Sequence, residues 1–235
     1  MGGNRVSFFA VFDGHGGVKV AAAASEELHK HVLAAGLDLS EIFLQERSSN
    51  AKSRRQAVSE GFQSTDAVLL EMCKRNEWQD GATCAAAWIL GDTAIVANIG
   101  GDAKCVLGRI PSEGGAPKAI TLTRDHKAIY PQERTRIEKS GGFVSKDGRL
   151  GGRVEVSRSF GDPLYKSAGM SAVPDMKVFK ITDRDRFLLL GCDGFFGVFN
   201  PDEALSAVMR HINDGRPVKN ICERLINEVR LLIHA

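Results

Sequence analysis

The sequence predicts an α+β fold in which helices cover antiparallel strands. Two observations indicate this class. The 235-residue chain begins with one strand and two helical segments, continues with many short strands, and ends with two helices. Segregated runs of this kind are typical of antiparallel sheets with helices on their faces. Hydrophobic residues make up 43% of the chain, enough for a large core, and no linker interrupts it, so we expect residues 1–235 to form a single domain.

The N-terminal part is predicted to supply one strand and two helices. Residues 6–12 have the apolar character of a strand, and residues 17–35 are predicted to form a helix that ends at Gly36. A second helix is predicted over residues 51–75, because apolar side chains recur there every three or four positions. We expect this stripe to lie in the core. Its members are Val58, Phe62, Thr65, Leu69 and Met72.

The middle of the chain is predicted to be rich in strands. Two apolar runs flank Gly91-Asp92, and a two-residue connection of this type indicates a hairpin. Residues 103–109 are predicted to form the next strand. Pro131 is expected to open a short helix, which Gly141-Gly142 ends. Strand-like pieces follow over residues 143–181.

The C-terminal part is predicted to contain one strand and two helices. Residues 186–192 form a continuous apolar run of the buried-strand type. Residues 200–203, Asn-Pro-Asp-Glu, combine an N-cap, a proline at the first helical position and an acid at the third. A helix is therefore expected to residue 213, and Pro217 is expected to begin another.

Composition limits the classes of partner and compartment. The formal net charge is +2, from 31 basic and 29 acidic residues, which favours neither nucleic acid nor an anionic membrane as a partner. No apolar run approaches the length of a membrane span, and the N-terminus lacks the apolar core of a secretion signal. The five cysteines have neither zinc-site nor disulfide spacing. We expect an intracellular monomer, in the cytoplasm or nucleus.

Three aspartates lie beside glycine at the ends of apolar strands. They are Asp13 in VFDGHGG, Asp102 in NIGGDAK and Asp193 in LGCDGFFG. Each alone is typical of a turn. Asp13 and Asp193 differ because each directly follows a very apolar strand. A partly desolvated carboxylate there costs free energy unless a cation compensates its charge. If the two strands are neighbours, either one pKa rises or a divalent ion holds both groups ionised. Oxygen ligands, including a carbonyl at Gly14, suit Mg²⁺ or Mn²⁺.

Several longer motifs occur in order between residue 5 and about residue 230. They are FFAVFDGHGG, DGATCAAAW, ANIGGDAKCVLGR, LTRDHKAIYPQERTRIEKSGGFV, VEVSRSFGD, VPDM and FLLLGCDGFFGVF. Through them the chain resembles the type 2C family of metal-dependent serine/threonine protein phosphatases, in particular its plant and integrin-linked-kinase-associated members. The resemblance implies an α-β-β-α sandwich, two antiparallel sheets flanked by helices.

The resemblance also implies a set of site residues. Asp13, the Gly14 carbonyl and Asp193 would hold two Mg²⁺ or Mn²⁺ ions, and Asp102 would share a weaker third ion with Asp193. A metal-activated water would attack the phosphorus of phosphoserine or phosphothreonine in a protein substrate. His15 would be the general acid that protonates the departing oxygen.

Other matched positions imply supporting roles. Arg158 and Asp162 would stabilise the catalytic edge through buried hydrogen bonds, and Asp125 and His126 would be structural or would position a flap. Residues 127–152 correspond to that flap, which lies beside the cleft and influences substrate choice.

The sequence departs from the family pattern in three places. Members normally begin with a strand that carries Gly-x-Arg and an acidic pair, and end with a strand that carries Asp-Asn. We expect this chain to lack both strands and to bind one metal more weakly. An extra glycine in ANIGGDAK could shift Asp102. Two functions stay open: a metal-dependent protein phosphatase, or a weakly active or inactive relative that binds phosphoproteins. A metal-dependent nuclease is disfavoured by the balanced charge.

Overall fold

The structure, a computed structural model, describes residues 6–37 and 49–233. The strands in these ranges are β1 (Val6–His15), β2 (Gly81–Leu90), β3 (Thr93–Ile99), β4 (Lys104–Arg109), β5 (Lys118–Thr121), β6 (Phe160–Gly161), β7 (Asp175–Lys180) and β8 (Asp185–Gly191). The helices are α1 (Lys19–Ala34), α2 (Ser49–Asn76), α3 (Pro131–Lys139), α4 (Pro163–Lys166), α5 (Asp193–Phe196), α6 (Pro201–Asn213) and α7 (Val218–Ile233). Within the described ranges, each helix is too short or too polar to cross a membrane.

The strands form two antiparallel sheets. In the first the order is β1-β2-β3-β7, with β6 also paired to β2, and in the second it is β5-β4-β8. Helices α1 and α2 share a core with the first sheet, and α6 and α7 pack on the outer face of the second through Phe187 and Leu189. A smaller apolar cluster, which includes Val96 and Leu107, lies between the sheets. The predicted α+β class and the α-β-β-α sandwich are confirmed.

The predicted stripe of α2 lies in the core. Val58, Phe62 and Leu69 are fully buried against α1 and the first sheet. The two helices approach closely at Gly61, where a Cβ atom would lie 2.6 Å from the Cα of Val32. A glycine in the middle of a helix therefore has a packing reason here, because any side chain would force the helices apart.

Strand β1 is longer than predicted and carries the Asp-Gly-His segment within its ladder. Asp13 pairs with Thr83, Gly14 with Ala82, and His15 with Gly81. Small residues at the start of β2 leave room for this extended pairing. Because successive side chains alternate between the faces of a strand, Asp13 and His15 share one face of β1. Residues 8, 10 and 12 occupy the other face and pack with the core that α1 and α2 cover.

Two predicted strand regions differ from the structure. Strand β8 was expected to be buried, but residues 187–190 are only half-buried, because in the described part of the chain β8 is an outer strand that pairs with β4 alone. Over residues 143–181 only β6 and β7 join a sheet, and other segments form isolated bridges. Glycines with positive φ, such as Gly148 and Gly152, break this stretch into turns.

The predicted start of α6 is confirmed in detail. The Asn200 side chain accepts hydrogen bonds from the backbone N–H groups of Asp202 and Glu203, each at 3.0 Å. The Glu203 side chain accepts from the backbone N–H of Asn200 at 2.8 Å, which completes a capping box. This cap fixes where α6 begins after β8 and α5.

Candidate metal and catalytic site

The ends of β1 and β8 bring two acidic side chains together. Ligand atoms of Asp13, Cys192 and Asp193 all lie within 4.8 Å of one another. Asp13 belongs to the first sheet, whereas Asp193 opens the short helix α5 directly after the last strand of the second. The sandwich therefore joins residues that are 180 positions apart in the sequence.

The electrostatics of this group favour a bound cation. Burial raises the pKa of Asp13, and the hydrogen bond and charge repulsion from Asp193 raise it further. A divalent cation would remove this penalty by attracting both carboxylates. Burial also raises the pKa of the Cys192 thiol, which keeps it protonated and a poor ligand for a hard ion. The donor set that remains consists of oxygen atoms and fits Mg²⁺ or Mn²⁺.

Gly14 occupies a position where the backbone turns tightly toward α1. A Cβ atom there would lie 2.7 Å from the Gly17 carbonyl oxygen and 3.2 Å from the Ala21 Cβ. The start of α1 is held against the same turn by Asp80, whose Oδ2 accepts a hydrogen bond from the Val20 N–H at 2.9 Å. Because Gly14 has no side chain, its backbone can approach the start of α1 closely beside Asp13.

His15 lies two positions after Asp13 and is bound to a second carboxylate. Its Nε2 atom lies 2.6 Å from Asp162 Oδ2, and the exposed fractions of the two side chains are 34% and 3%. Burial lowers the pKa of His15, but the hydrogen bond and negative charge of Asp162 outweigh it and the net shift is upward. The imidazole therefore takes up a proton more readily than a free histidine.

Asp102 lies outside the close group of ligand atoms among the described residues. Its carboxylate is 3.4 Å from the Lys127 ammonium, which also pairs with Glu155 at 2.8 Å. Asp125 pairs with Lys104 at 2.8 Å. Both aspartates therefore have a lysine partner in the structure.

Arg158 and His126 support the region next to the flap. The Arg158 guanidinium contacts Glu133 at 2.6 Å and Asp175 at 3.1 Å. Although burial acts in the opposite direction, hydrogen bonds from arginines and Ser157 lower the pKa of Glu133 to about 2. His126 Nε2 lies 3.3 Å from Asp175 Oδ2, but the atom makes no aligned hydrogen bond. Arg158 thus acts on α3 and does not reach the acidic pair through these contacts.

The segment predicted as a flap, residues 127–152, contains α3 and shares a small apolar core with residues 154–170. Arg136 ties α3 to the chain beyond the flap by donating to the carbonyl oxygens of Gly169 at 2.6 Å and Ser157 at 2.8 Å. The buried members of this core are Ala128, Ile137, Val144, Leu150 and Met170. Residues 127–152 are therefore anchored to the chain on both sides of β6.

Four residues at the site were missed from the sequence. Cys192 precedes Asp193 directly, so its neighbours in the chain already signalled its place. Ser159 donates to Asp162 at 2.5 Å, and Gly81 lies beside the His15–Asp162 contact. Lys127 follows His126 and neutralises Asp102. The contact of Ser159 is local, three residues before Asp162, whereas the places of Gly81 and Lys127 depend on pairings between distant segments, for which the sequence contains no local signal.

Comparisons with known proteins agree with this architecture. The family model described as protein phosphatase 2C matches residues 2–231. The chain is 46% identical over 233 residues to probable protein phosphatase 2C 8 of Arabidopsis thaliana, covering 95% of this chain and 64% of that protein. It is 35% identical over 238 residues to the integrin-linked kinase-associated serine/threonine phosphatase 2C of Bos taurus, covering 95% and 62%. The chain thus spans less than two thirds of these relatives.

A solved structure shares the fold. The crystal structure of serine-threonine phosphatase 2C from Toxoplasma gondii superposes with a TM-score of 0.81 at 24% identity, covering 96% of this chain and 80% of that one. Together, the family match over nearly the whole sequence and the plant and mammalian relatives establish that this chain belongs to the protein phosphatase 2C family.

Proposed function

We propose that this chain is a divalent-metal-dependent phosphatase that hydrolyses phosphoserine and phosphothreonine in proteins. The observation that carries the proposal is the convergence of Asp13 and Asp193 within 4.8 Å at one edge of the sandwich. Family membership supports the same reaction class. Family membership also supports phosphoproteins as partners, the cysteine pattern agrees with an intracellular location, and we expect a monomer.

The acidic pair and the Gly14 carbonyl would hold the metal. A bound Mg²⁺ or Mn²⁺ supplies Lewis acidity, which neutralises phosphate charge and lowers the pKa of coordinated water. The chain supplies the geometry: Asp13 lies within β1 of the first sheet, and Asp193 opens the short helix α5 two residues after β8 of the second, so elements of regular structure place both carboxylates. Asp102 would serve a weaker additional cation, which would have to displace the Lys127 ammonium 3.4 Å away.

His15 would complete the reaction as a general acid. When the bond between phosphorus and the seryl or threonyl oxygen breaks, the departing oxygen needs a proton. His15 lies on the same face of β1 as Asp13, two residues further along, and its raised pKa favours the protonated ring. Proton donation of this type contributes roughly 10²- to 10⁴-fold to rate.

The test is hydrolysis of a phosphothreonine peptide by the purified chain with Mn²⁺. We expect turnover that a chelator abolishes and that Asp193→Asn lowers at least about 100-fold, because even residues that only support a metal ligand cost about 10- to 100-fold. The matched control is Asp185→Asn, a buried carboxylate paired with Arg109 at the opposite end of β8. Turnover that is insensitive to the chelator or to Asp193→Asn would contradict the proposal. No turnover with retained phosphopeptide binding would favour an inactive binding protein.

A further inference from the structure

We propose that Asp162 is a positioning residue that holds His15 by Nε2 and so reserves Nδ1 for the substrate. The inference rests on the proposed function, in which His15 gives a proton to the departing oxygen. It adds which ring nitrogen does so and which residue decides it.

The hydrogen bonds define the orientation of the ring. Asp162 Oδ2 accepts from His15 Nε2 at 2.6 Å and from the Ser159 hydroxyl at 2.5 Å. Because an ionised carboxylate only accepts hydrogen bonds, the proton between Asp162 and the ring lies on Nε2. In residues 6–37 and 49–233, Nδ1 of His15 has no hydrogen-bond partner, and the side chain is 34% exposed. Nδ1 is thus the ring nitrogen available to a substrate.

A glycine creates the space for this contact. A Cβ atom at Gly81 would lie 2.2 Å from Asp162 Oδ2 and 2.6 Å from His15 Nε2. Gly81 pairs with His15 on one side and with Gly161 on the other. The His15–Asp162 bond therefore crosses the sheet directly over a residue that has no side chain.

The turn that carries Asp162 is held in an unusual conformation. Asp162 has a φ of 52°, in the left-handed region that residues other than glycine seldom adopt. Its N–H donates to the Asp80 carbonyl at 3.0 Å, and Asp66 accepts from the Gly161 N–H at 2.9 Å. Lys166 closes the same turn on Asp66 at 2.7 Å. Backbone strain that several bonds enforce is characteristic of positions with a functional role.

A purely structural role makes a different prediction from a positioning role. Loss of a general acid affects a substrate in proportion to its need for a proton. A phosphothreonine peptide releases an alkoxide and needs one, whereas p-nitrophenyl phosphate releases a stabilised phenolate and does not. A structural defect would slow both substrates equally, because it would disturb the metal site that both require.

The experiment compares Asp162→Asn with the wild-type chain on both substrates. We expect kcat on the phosphothreonine peptide to fall about 10- to 100-fold, within the range of general-acid contributions, and that on p-nitrophenyl phosphate to fall less than about threefold. His15→Gln should show the same selectivity, and the double variant should be no slower than either single one. Asp185→Asn is the control for loss of a buried carboxylate away from the site. Equal loss on both substrates, or no loss on either, would overturn the inference.

A second measurement does not depend on activity. In ¹⁵N-labelled chain, at a pH where the ring is neutral, the imidazole nitrogen shifts of His15 should report a proton on Nε2 in the wild type. Asp162→Asn should remove this preference, whereas Asp185→Asn should keep it. A wild-type ring protonated on Nδ1 would overturn the inference even in an inactive chain. An inactive wild type that retains the Nε2–H form would instead contradict only the proposed phosphatase activity.

Discussion

Asp193→Asn should stabilise the metal-free protein while it abolishes metal binding. The carboxylates of Asp13 and Asp193 lie within 4.8 Å of each other. At that separation two like charges repel by roughly 3.5 kcal/mol at an effective dielectric constant of about 20, and by about 0.9 kcal/mol in bulk water. Because Asp193 is exposed, solvent screening favours the lower part of this range, and we expect a gain of about 1–2 kcal/mol.

The stability gain from Asp193→Asn should also depend on pH, and the raised pKa of Asp13 sets the direction of that dependence. The pKa of Asp13 is raised above its ordinary value of 3.8, so the folded state holds this proton more tightly than the unfolded state does. Without metal, the contribution of Asp13 to stability is fully present below pH 3.8 and is lost as pH rises through the higher folded pKa. The advantage of Asp193→Asn should therefore be greatest at neutral pH and should shrink in acid.

The assay is urea unfolding in chelator and again in Mn²⁺. In chelator at neutral pH, Asp193→Asn should raise the unfolding free energy, whereas Asp92→Asn, an exposed carboxylate paired with Lys180, should leave it nearly unchanged. In Mn²⁺ the wild type should gain stability with metal concentration and the variant should not. A variant less stable than wild type in chelator, or one that Mn²⁺ stabilises equally, would refute the electrostatic reasoning.

Three further substitutions test the fold that supports the site. Glu133→Gln should cost about 3 kcal/mol in urea unfolding, because it leaves Arg158 half-buried without its closest partner. Since the pKa of Glu133 is about 2, its contribution should persist above pH 4.5 and be lost as pH falls toward 2, which acid titration of the unfolding midpoint can check. Gly61→Ala should destabilise by about 1–3 kcal/mol despite its better helix propensity, because the added Cβ would meet Val32, and calorimetry should show a lower Tm. Asn200→Ala should cost about 1 kcal/mol through loss of the cap and lower Tm by about 2–4 °C; an unchanged Tm would contradict the role of the cap.

Local patterns in the sequence were sufficient for most elements of the fold. The stripe of α2, the Gly91-Asp92 hairpin and the cap at Asn200 each depend on residues within a few positions of one another, so short-range physics determines them. The half-burial of β8 depends on which strands flank it, and no property of its own apolar run reports that.

The candidate site likewise combines features that local sequence predicts with contacts that only the pairing of distant segments determines. The acidic character of Asp13 and Asp193 at strand ends was visible in the sequence, and the sandwich explains why they meet. The contact between His15 and Asp162 was not predictable, because it requires β6 to pair beside β2 and Gly81 to leave space. The pairing of Asp102 with Lys127 likewise follows from the path of the chain after β5 and from no local motif.

The regular pairing of β1 with β2 fixes the distance between Asp13 and His15. Two residues of an extended strand span about 6.7 Å, so the backbone itself sets the separation between Asp13 and His15. Segments away from β1, including residues 127–152, can change in sequence without altering that spacing. Insertion of a single residue between the two would turn the imidazole to the opposite face of the sheet, so the length of this segment is far more constrained than the sequence of the surrounding chain.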